Sequence, residues 1–167
     1  MGKAILLILL FSLVLGCAEL PAKSNTPLAP FKKLLVRDIN WKETAVSEIE
    51  GDNLKEYLAA QPRLSALFRT EFGKYIKDIH FFEQVDYGDG PADAETIILE
   101  PKIYTIKADS CMPGADYTGL LKTADGRLVG KYTSERRIYI DSKPIANIEK
   151  LIGELAEDAA SLLPYAR

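Results

Sequence analysis

Hydrophobic side chains recur every three to four residues in two segments of the chain, which is the spacing of one face of an amphipathic helix. The first stripe consists of Leu64, Leu67, Phe68, Phe72, Tyr75, Ile76 and Ile79. The second consists of Ile145, Ile148, Ile152, Leu155, Ala159 and Leu162. Asn53 and Glu56 have capping-box spacing and predict a helix start, whereas Pro62 suits the first turn of a new helix. The last helix is predicted to open within 141–144.

Shorter segments around these stripes are rich in branched and aromatic side chains and partly alternate between apolar and polar positions, as strands do. We predict strands over 33–39, 80–85, 96–107, 117–123 and 128–140. Asp125-Gly126 lies between the last two and predicts a hairpin. The order of elements indicates one α+β domain. Its expected architecture is a mostly antiparallel sheet of four to five strands, with two amphipathic helices packed on one face.

The first seventeen residues have the pattern of an export signal. Lys3 gives a positive start, and 4–15 are apolar except for Ser12. This run is shorter than the roughly 20 apolar residues that span a bilayer, and it suits the central region of a secretory signal peptide. The alternative is an uncleaved anchor, or an ordinary signal with an incidental cysteine.

The end of this run, Val14-Leu15-Gly16-Cys17, resembles the lipobox of bacterial lipoproteins. The resemblance implies that 1–16 are removed as a signal peptide and that Cys17 carries a diacylglyceryl group and an N-linked acyl chain such as palmitate. Stable anchoring takes two or more chains, because one chain binds a membrane only marginally. Ala18 stands where an aspartate would signal inner-membrane retention in enteric bacteria. We therefore expect an outer-membrane anchor and a domain that faces the periplasm.

A polar stretch follows the lipid-bearing residue. Prolines and small polar residues within 18–30 indicate that 17–30 forms a flexible tether. We expect a single folded domain over 31–167.

Charge and composition exclude some classes of partner. The 167 residues carry a formal charge of −3, and loss of 1–16 removes Lys3 and no acid, which leaves −4. Nucleic-acid binding needs clustered lysine and arginine, so we expect no nucleic-acid partner. One histidine and two cysteines are too few for a Cys/His zinc site within one chain. We expect no cofactor and no metal.

Three groups of residues could carry chemistry. We interpret His80 as a partly buried residue at a helix–strand junction, with a pH switch as the alternative. Cys111 has no partner in the chain once Cys17 is lipidated, so an incidental cysteine, a free or intermolecular thiol and a nucleophile remain open. The four carboxylates within 86–95 suit a solvated turn, and a Ca²⁺ loop or general acid–base chemistry is the alternative. We do not expect an enzyme, because the sequence has no catalytic motif.

Two adjacent cations, Arg136 and Arg137, lie near the end of the predicted hairpin. Charged side chains on an edge strand commonly keep that edge from pairing with other chains. The alternative is a docking surface for an acidic partner, for peptidoglycan or for lipid head groups. Arg136 and Arg137 are therefore our candidate docking residues.

The order of elements over 31–163 resembles the α+β domain shared by the amino-terminal part of TolB, the curli-secretion lipoprotein and the penicillin-binding-protein activator lipoproteins. The likeness includes His-Phe-Phe-Glu-Gln-Val at 80–85 and Ala-Asp-Gly-Arg-Leu-Val at 124–129. It implies binding to protein partners in the cell envelope and brings no catalytic residues. We expect a membrane-anchored accessory factor of a secretion, transport or cell-wall complex. A small-ligand carrier with a pocket between sheet and helices, or an envelope enzyme, is the alternative.

Overall fold

The computed structural model describes residues 22–23, 26–108, 112–138 and 143–167. The predicted signal peptide, the lipobox with Cys17, and Cys111 lie outside the described residues. Within those ranges, no helix is both long enough and apolar enough to cross a membrane.

The described chain contains six strands and two long helices. The strands are β1 (Lys33–Val36), β2 (Ala45–Ser47), β3 (Gln84–Tyr87), β4 (Thr96–Lys107), β5 (Gly114–Thr123) and β6 (Leu128–Arg137). The helices are α1 (Gly51–Ile79) and α2 (Pro144–Leu162), with short 3₁₀ turns at Trp41–Glu43 and Leu163–Tyr165.

The six strands form one mixed sheet in the order β3-β1-β4-β5-β6, with β2 beside the last third of β4. β1 runs parallel to both β3 and β4, and β2 runs parallel to β4, whereas β4, β5 and β6 are antiparallel neighbours. The α+β class with two helices packed on the sheet is confirmed. The sheet is mixed rather than purely antiparallel and has six strands where four to five are predicted. The parallel pairs arise because α1 carries the chain from one end of the sheet back to the other. A crossover of this kind returns the next strand parallel to the first.

Helix α1 is one continuous helix of 29 residues with Pro62 inside it. The predicted new helix at Pro62 is therefore wrong, and so is the capping box, because the helix begins before Asn53 and Glu56. A proline inside a helix removes one backbone hydrogen bond. Buried side chains on both sides of it, Tyr57 and Leu64, form one uninterrupted stripe that offsets this loss.

The hydrophobic core lies between the helices and the face of the sheet that they cover. The Phe68 ring of α1 contacts the Tyr117 ring of β5, with 6.1 Å between centroids. The sheet's buried side chains on this face include Leu34, Val36, Ile97, Leu99, Ile103, Ile106, Ala115, Tyr117, Leu121 and Tyr132. Burying a side chain of this size stabilises the fold by about 1.5–3 kcal/mol relative to leaving it exposed.

The chain that precedes β1 packs against this core. Leu28 is completely buried, although it lies within the predicted tether. The ammonium group of Lys23 lies 5.8 Å and 5.4 Å from the ring centroids of Phe81 and Phe82, which directly follow α1. Lys23 therefore lies beside the segment that joins α1 to β3.

Candidate docking surface

The second face of the sheet carries a different set of side chains. Residues opposite one another on neighbouring strands point to the same face, and successive residues alternate between faces. The open face is built from rows of such partners across β4, β5 and β6. Three of them are Glu100–Leu120–Lys131, Lys102–Thr118–Thr133 and Thr105–Asp116–Glu135.

Charge on this face differs in sign from the charge of the whole chain. Between them, β4, β5 and β6 place more cations than carboxylates there. The cations are Lys102, Lys107, Lys122, Lys131 and Arg137, and the carboxylates are Glu100, Asp116 and Glu135. Five positive and three negative groups give this surface +2, whereas the whole chain carries −3.

Ion pairs neutralise part of this charge. Lys122 lies 2.6 Å from a Glu100 oxygen, and Lys102 lies 3.0 Å from a Glu43 oxygen. Across the described parts of the chain, no ion pair involves Lys107 or Lys131. The open face therefore keeps cations that are available to an acidic partner.

The structure places the two candidate docking arginines on opposite faces of β6. Arg136 points to the helix layer, where Nε lies 2.6 Å from an Asp158 oxygen and Nη2 bonds the other oxygen. The Asp158 carboxylate also accepts a hydrogen bond from the Ser134 hydroxyl, and the Asp158 side chain is only 14% exposed. The hydrogen bond to Asp158 also raises the pKa of Arg136. Arg136 thus ties β6 to α2 rather than facing a partner.

Arg137 points to the open face. It pairs with Glu135, two residues away on the same strand, and its side chain is 47% exposed. An exposed ion pair of this kind contributes about 0–1 kcal/mol to stability. Arg137 can therefore leave Glu135 for another carboxylate at little cost in free energy. Of the two arginines, only Arg137 lies on the open face of the sheet.

The acidic segment 86–95 folds over the part of the open face formed by β1. Arg37 Nη1 donates to the carbonyl oxygens of Gly88 and Gly90, at 2.9 Å and 3.3 Å. The clamped loop approaches the Leu35 side chain, which is 2% exposed despite lying on this face. The accessible open face is therefore the area of β4, β5 and β6.

Asp93 shows how this acidic segment is held. Its carboxylate lies 2.6 Å from Lys33 Nζ and accepts hydrogen bonds from the Thr96 hydroxyl and the Glu95 amide. The hydrogen bonds from Lys33 and Thr96 lower the pKa of Asp93 to about 2. No group of three or more His, Cys, Asp or Glu within the described ranges could hold a metal ion. The bonds of Asp93 tie this segment to β1 through Lys33 and to β4 through Thr96.

His80 ends α1 in the left-handed conformation, with φ of 50°. Its side chain is exposed, whereas the sequence predicts a partly buried histidine. It lies near the end of the sheet where β4 begins, and Ala108 and Met112, which flank Cys111, lie at the other end. The twelve residues of β4, Thr96–Lys107, span roughly 35 Å at the usual rise of a strand. His80 is therefore held far from Ala108 and Met112, while Cys111 itself lies outside the described residues.

A surface cleft of about 550 Å³ lies at the end of the sheet, between the 92–94 loop and the β5–β6 turn. Its lining includes Phe31, Ala94, Ala124 and Arg127, and no residue of α1 or α2. This cleft is not the pocket between sheet and helices that the sequence suggests for a ligand carrier.

Sequence reasoning missed most of the open face. Four of its five cations, Lys102, Lys107, Lys122 and Lys131, received no role. The alternation in β4, β5 and β6 was the available signal, because each of these lysines is flanked by residues of the opposite face. The ion pair between Arg136 and Asp158 had no such signal, since it depends on how α2 crosses β6.

No family model matches the chain, and no curated protein is significantly similar to it. A PelC dodecamer from Paraburkholderia phytofirmans is 11% identical, with a TM-score of 0.44 over 77% of this chain and 88% of that chain. A Xanthomonas campestris protein of the DUF330 family model is 12% identical, with a TM-score of 0.49 over 84% of this chain and 85% of that chain. A minor lipoprotein from Acinetobacter baumannii is 9% identical, with a TM-score of 0.42 over 81% and 94%. These similarities assign neither family nor function, and the resemblance to TolB-type domains stays a prediction.

Proposed function

We propose that this protein is a lipid-anchored lipoprotein of the bacterial cell envelope that binds an acidic protein partner through the open face of its sheet. In this proposal it acts as an accessory factor of an envelope complex and not as an enzyme. The single observation that carries the docking part is the excess of cations on a sheet face that no described helix covers.

The anchor rests on the sequence alone. A positive start, a short apolar run and Gly16-Cys17 occur in the order that export and lipidation require. A domain fixed to a membrane has a raised effective concentration for partners in the same layer. This favours a binding role, because weak contacts become sufficient.

The docking role rests on charge and exposure. Complementary charge steers partners together and sets their orientation more than it raises affinity. An acidic surface would meet Lys107, Lys131 and Arg137 without displacing a buried ion pair. Binding of this type should weaken as salt rises, since exposed charges are screened within about 8 Å at physiological ionic strength.

The test of docking is a charge reversal on the full-length, membrane-anchored protein. Lys107→Glu with Arg137→Glu reverses two exposed open-face cations, and Lys77→Glu with Lys150→Glu makes the same change in net charge on the helices. We expect crosslinking in cells to an acidic envelope protein to be lost in the first variant and kept in the second. Equal crosslinking in both variants would overturn the docking proposal.

The test of the anchor is Cys17→Ser. We expect this variant to lose incorporation of labelled fatty acid and to leave the membrane fraction. Cys111→Ser is the matched control and should keep both properties. Fatty-acid labelling that persists without Cys17 would contradict lipidation at this residue.

The cleft at the end of the sheet supports a second candidate function. Its volume of about 550 Å³ falls within the range of about 300–1,000 Å³ typical of small-molecule sites. A copurified small molecule in native mass spectra, lost on Ala124→Trp, would favour a ligand carrier.

A further inference from the structure

The outer edge of β6 offers backbone groups for pairing with another strand. The Lys131 amide donates to the Arg167 carbonyl at 2.9 Å, and the Arg167 amide donates to the Lys131 carbonyl at 3.2 Å. Both backbone groups of Lys131 therefore point away from β5. Because the pattern repeats every two residues, the same groups of Thr133, Glu135 and Arg137 point outward as well.

Beyond Lys131 this edge is open. The side chains of Thr133, Glu135 and Arg137 are exposed, and their outward backbone groups have no backbone partner among the residues that the structure describes. An edge of this kind is a template for strand addition. Arg167 blocks it at one residue only.

The charges along this edge complement themselves in one antiparallel register. If Thr133 faces Thr133 of a second copy, Lys131 of each copy faces Glu135 of the other. Opposite charges directly across an antiparallel pair stabilise it. In a register centred on Ser134, Lys131 of one copy would face Arg137 of the other. In a register centred on Glu135, the two Glu135 carboxylates would face each other. The charges thus oppose these two registers while favouring the one centred on Thr133.

We propose that two copies of this chain join edge to edge through β6, antiparallel and centred on Thr133. Each copy releases the two hydrogen bonds between Lys131 and Arg167. Three facing pairs then exchange about six hydrogen bonds in place of the four released. The result is a twofold-symmetric dimer, in which the same surface of each copy meets itself.

This dimer goes beyond the proposed docking function and does not require it. Its twofold axis is perpendicular to the sheet, so both helix layers lie on one side and both open faces on the other. Lys23 lies beside the residues that follow α1 in each copy, and the twofold axis sets the two Lys23 residues at the same height along it. Two lipid anchors at Cys17 would then reach one membrane, while the paired open faces form one cation-rich platform.

The pairing can be tested by disulfide formation in the full-length, membrane-bound chain carrying Cys111→Ser. Facing residues of a hydrogen-bonded pair have Cα atoms about 5.5 Å apart, within the range that a disulfide bridges. We expect Thr133→Cys to form a covalent dimer under mild oxidation. Lys77→Cys, exposed on α1, is the control and should remain monomeric.

Charge exchange makes the test specific for the register. In the Thr133→Cys chain, Lys131→Glu alone and Glu135→Lys alone should each reduce the dimer at least threefold, and the double exchange should restore it. Absence of a dimer in the folded Thr133→Cys chain, equal dimer from Lys77→Cys, or no restoration in the double exchange would overturn the proposal. If the dimer fails while charge-dependent partner capture persists, this inference fails alone. If capture fails while the dimer persists, the docking function fails alone.

Discussion

The two faces of the sheet differ in what their side chains do. On the covered face, β4 and β5 contribute branched and aromatic residues that meet α1 and α2 and are almost fully buried. On the open face, the same strands contribute lysines, threonines and carboxylates that pair across strands. Alternate residues of each strand thus build the core, whereas the residues between them lie on the open face, where our proposal places recognition. Substitutions on the two faces should therefore separate unfolding from loss of binding.

The largest contrast should come from neighbouring residues of β5. Leu121→Ala removes a completely buried side chain and should lower the free energy of unfolding by about 3 kcal/mol, through lost transfer energy and a residual cavity. Lys122→Ala removes a partly exposed ion pair with Glu100 and should cost less than about 1 kcal/mol. Denaturant unfolding of the detergent-solubilised chain measures both. Similar losses in the two variants would refute the division between the faces.

Close packing across β5 and β6 predicts a second contrast. A Cβ added at Gly119 would lie 2.6 Å and 2.7 Å from Cε1 and Oη of Tyr132. The ring cannot move freely, because its hydroxyl donates to the Ala159 carbonyl at 2.8 Å. We expect Gly119→Ala to destabilise the fold by about 1–3 kcal/mol through overpacking.

Gly130→Ala is the matched control for this substitution. Its added Cβ would meet Ala166 at 3.5 Å, an ordinary contact. Thermal unfolding should show a clear loss for Gly119→Ala and a smaller one for Gly130→Ala. The reverse order would show that Tyr132 can repack.

The adjacent arginines of β6 give a third contrast. Arg136→Ala leaves the mostly buried Asp158 without its cation and should cost about 1–2 kcal/mol, between the values for exposed and buried ion pairs. Arg137→Ala should change the free energy of unfolding by less than about 0.5 kcal/mol and should weaken partner capture. Unfolding and crosslinking measured on the same two proteins test both statements. A stability loss at Arg137 with none at Arg136 would reverse the assignment.

The smallest effect concerns the loop at the border of the open face. The pKa of Asp93 is lowered from 3.8 to about 2, so the folded state binds this proton less readily than the unfolded state. Its contribution to stability is complete above about pH 4 and is lost as the pH falls from about 4 to 2. Asp93→Asn should flatten that part of the acid-unfolding curve. An unchanged curve would show that the bonds to Lys33 and Thr96 do not matter for stability.

The sequence predicted more about the covered face than about the open face. The helical stripes and the hairpin at Asp125-Gly126 predicted α2, the part of α1 after Pro62 and the antiparallel strands, because burial imposes a strict period on residues such as Phe68 and Leu155. The crossover through α1 was not visible, since strand direction depends on long-range pairing. Alternation along β6 could have predicted that Arg136 and Arg137 point to opposite faces. It could not have predicted that Asp158 is the ion-pair partner of Arg136.

Crosslinking from single positions of the anchored protein tests the central proposal most directly. A photoreactive residue replaces Leu120, half-buried in the middle of the open face, or Lys150, exposed on α2. We expect an adduct with an acidic envelope protein from position 120 only. This adduct should be lost when Lys107 and Arg137 are both replaced by glutamate. An adduct from position 150 alone, or one from position 120 that survives the charge reversal, would contradict it.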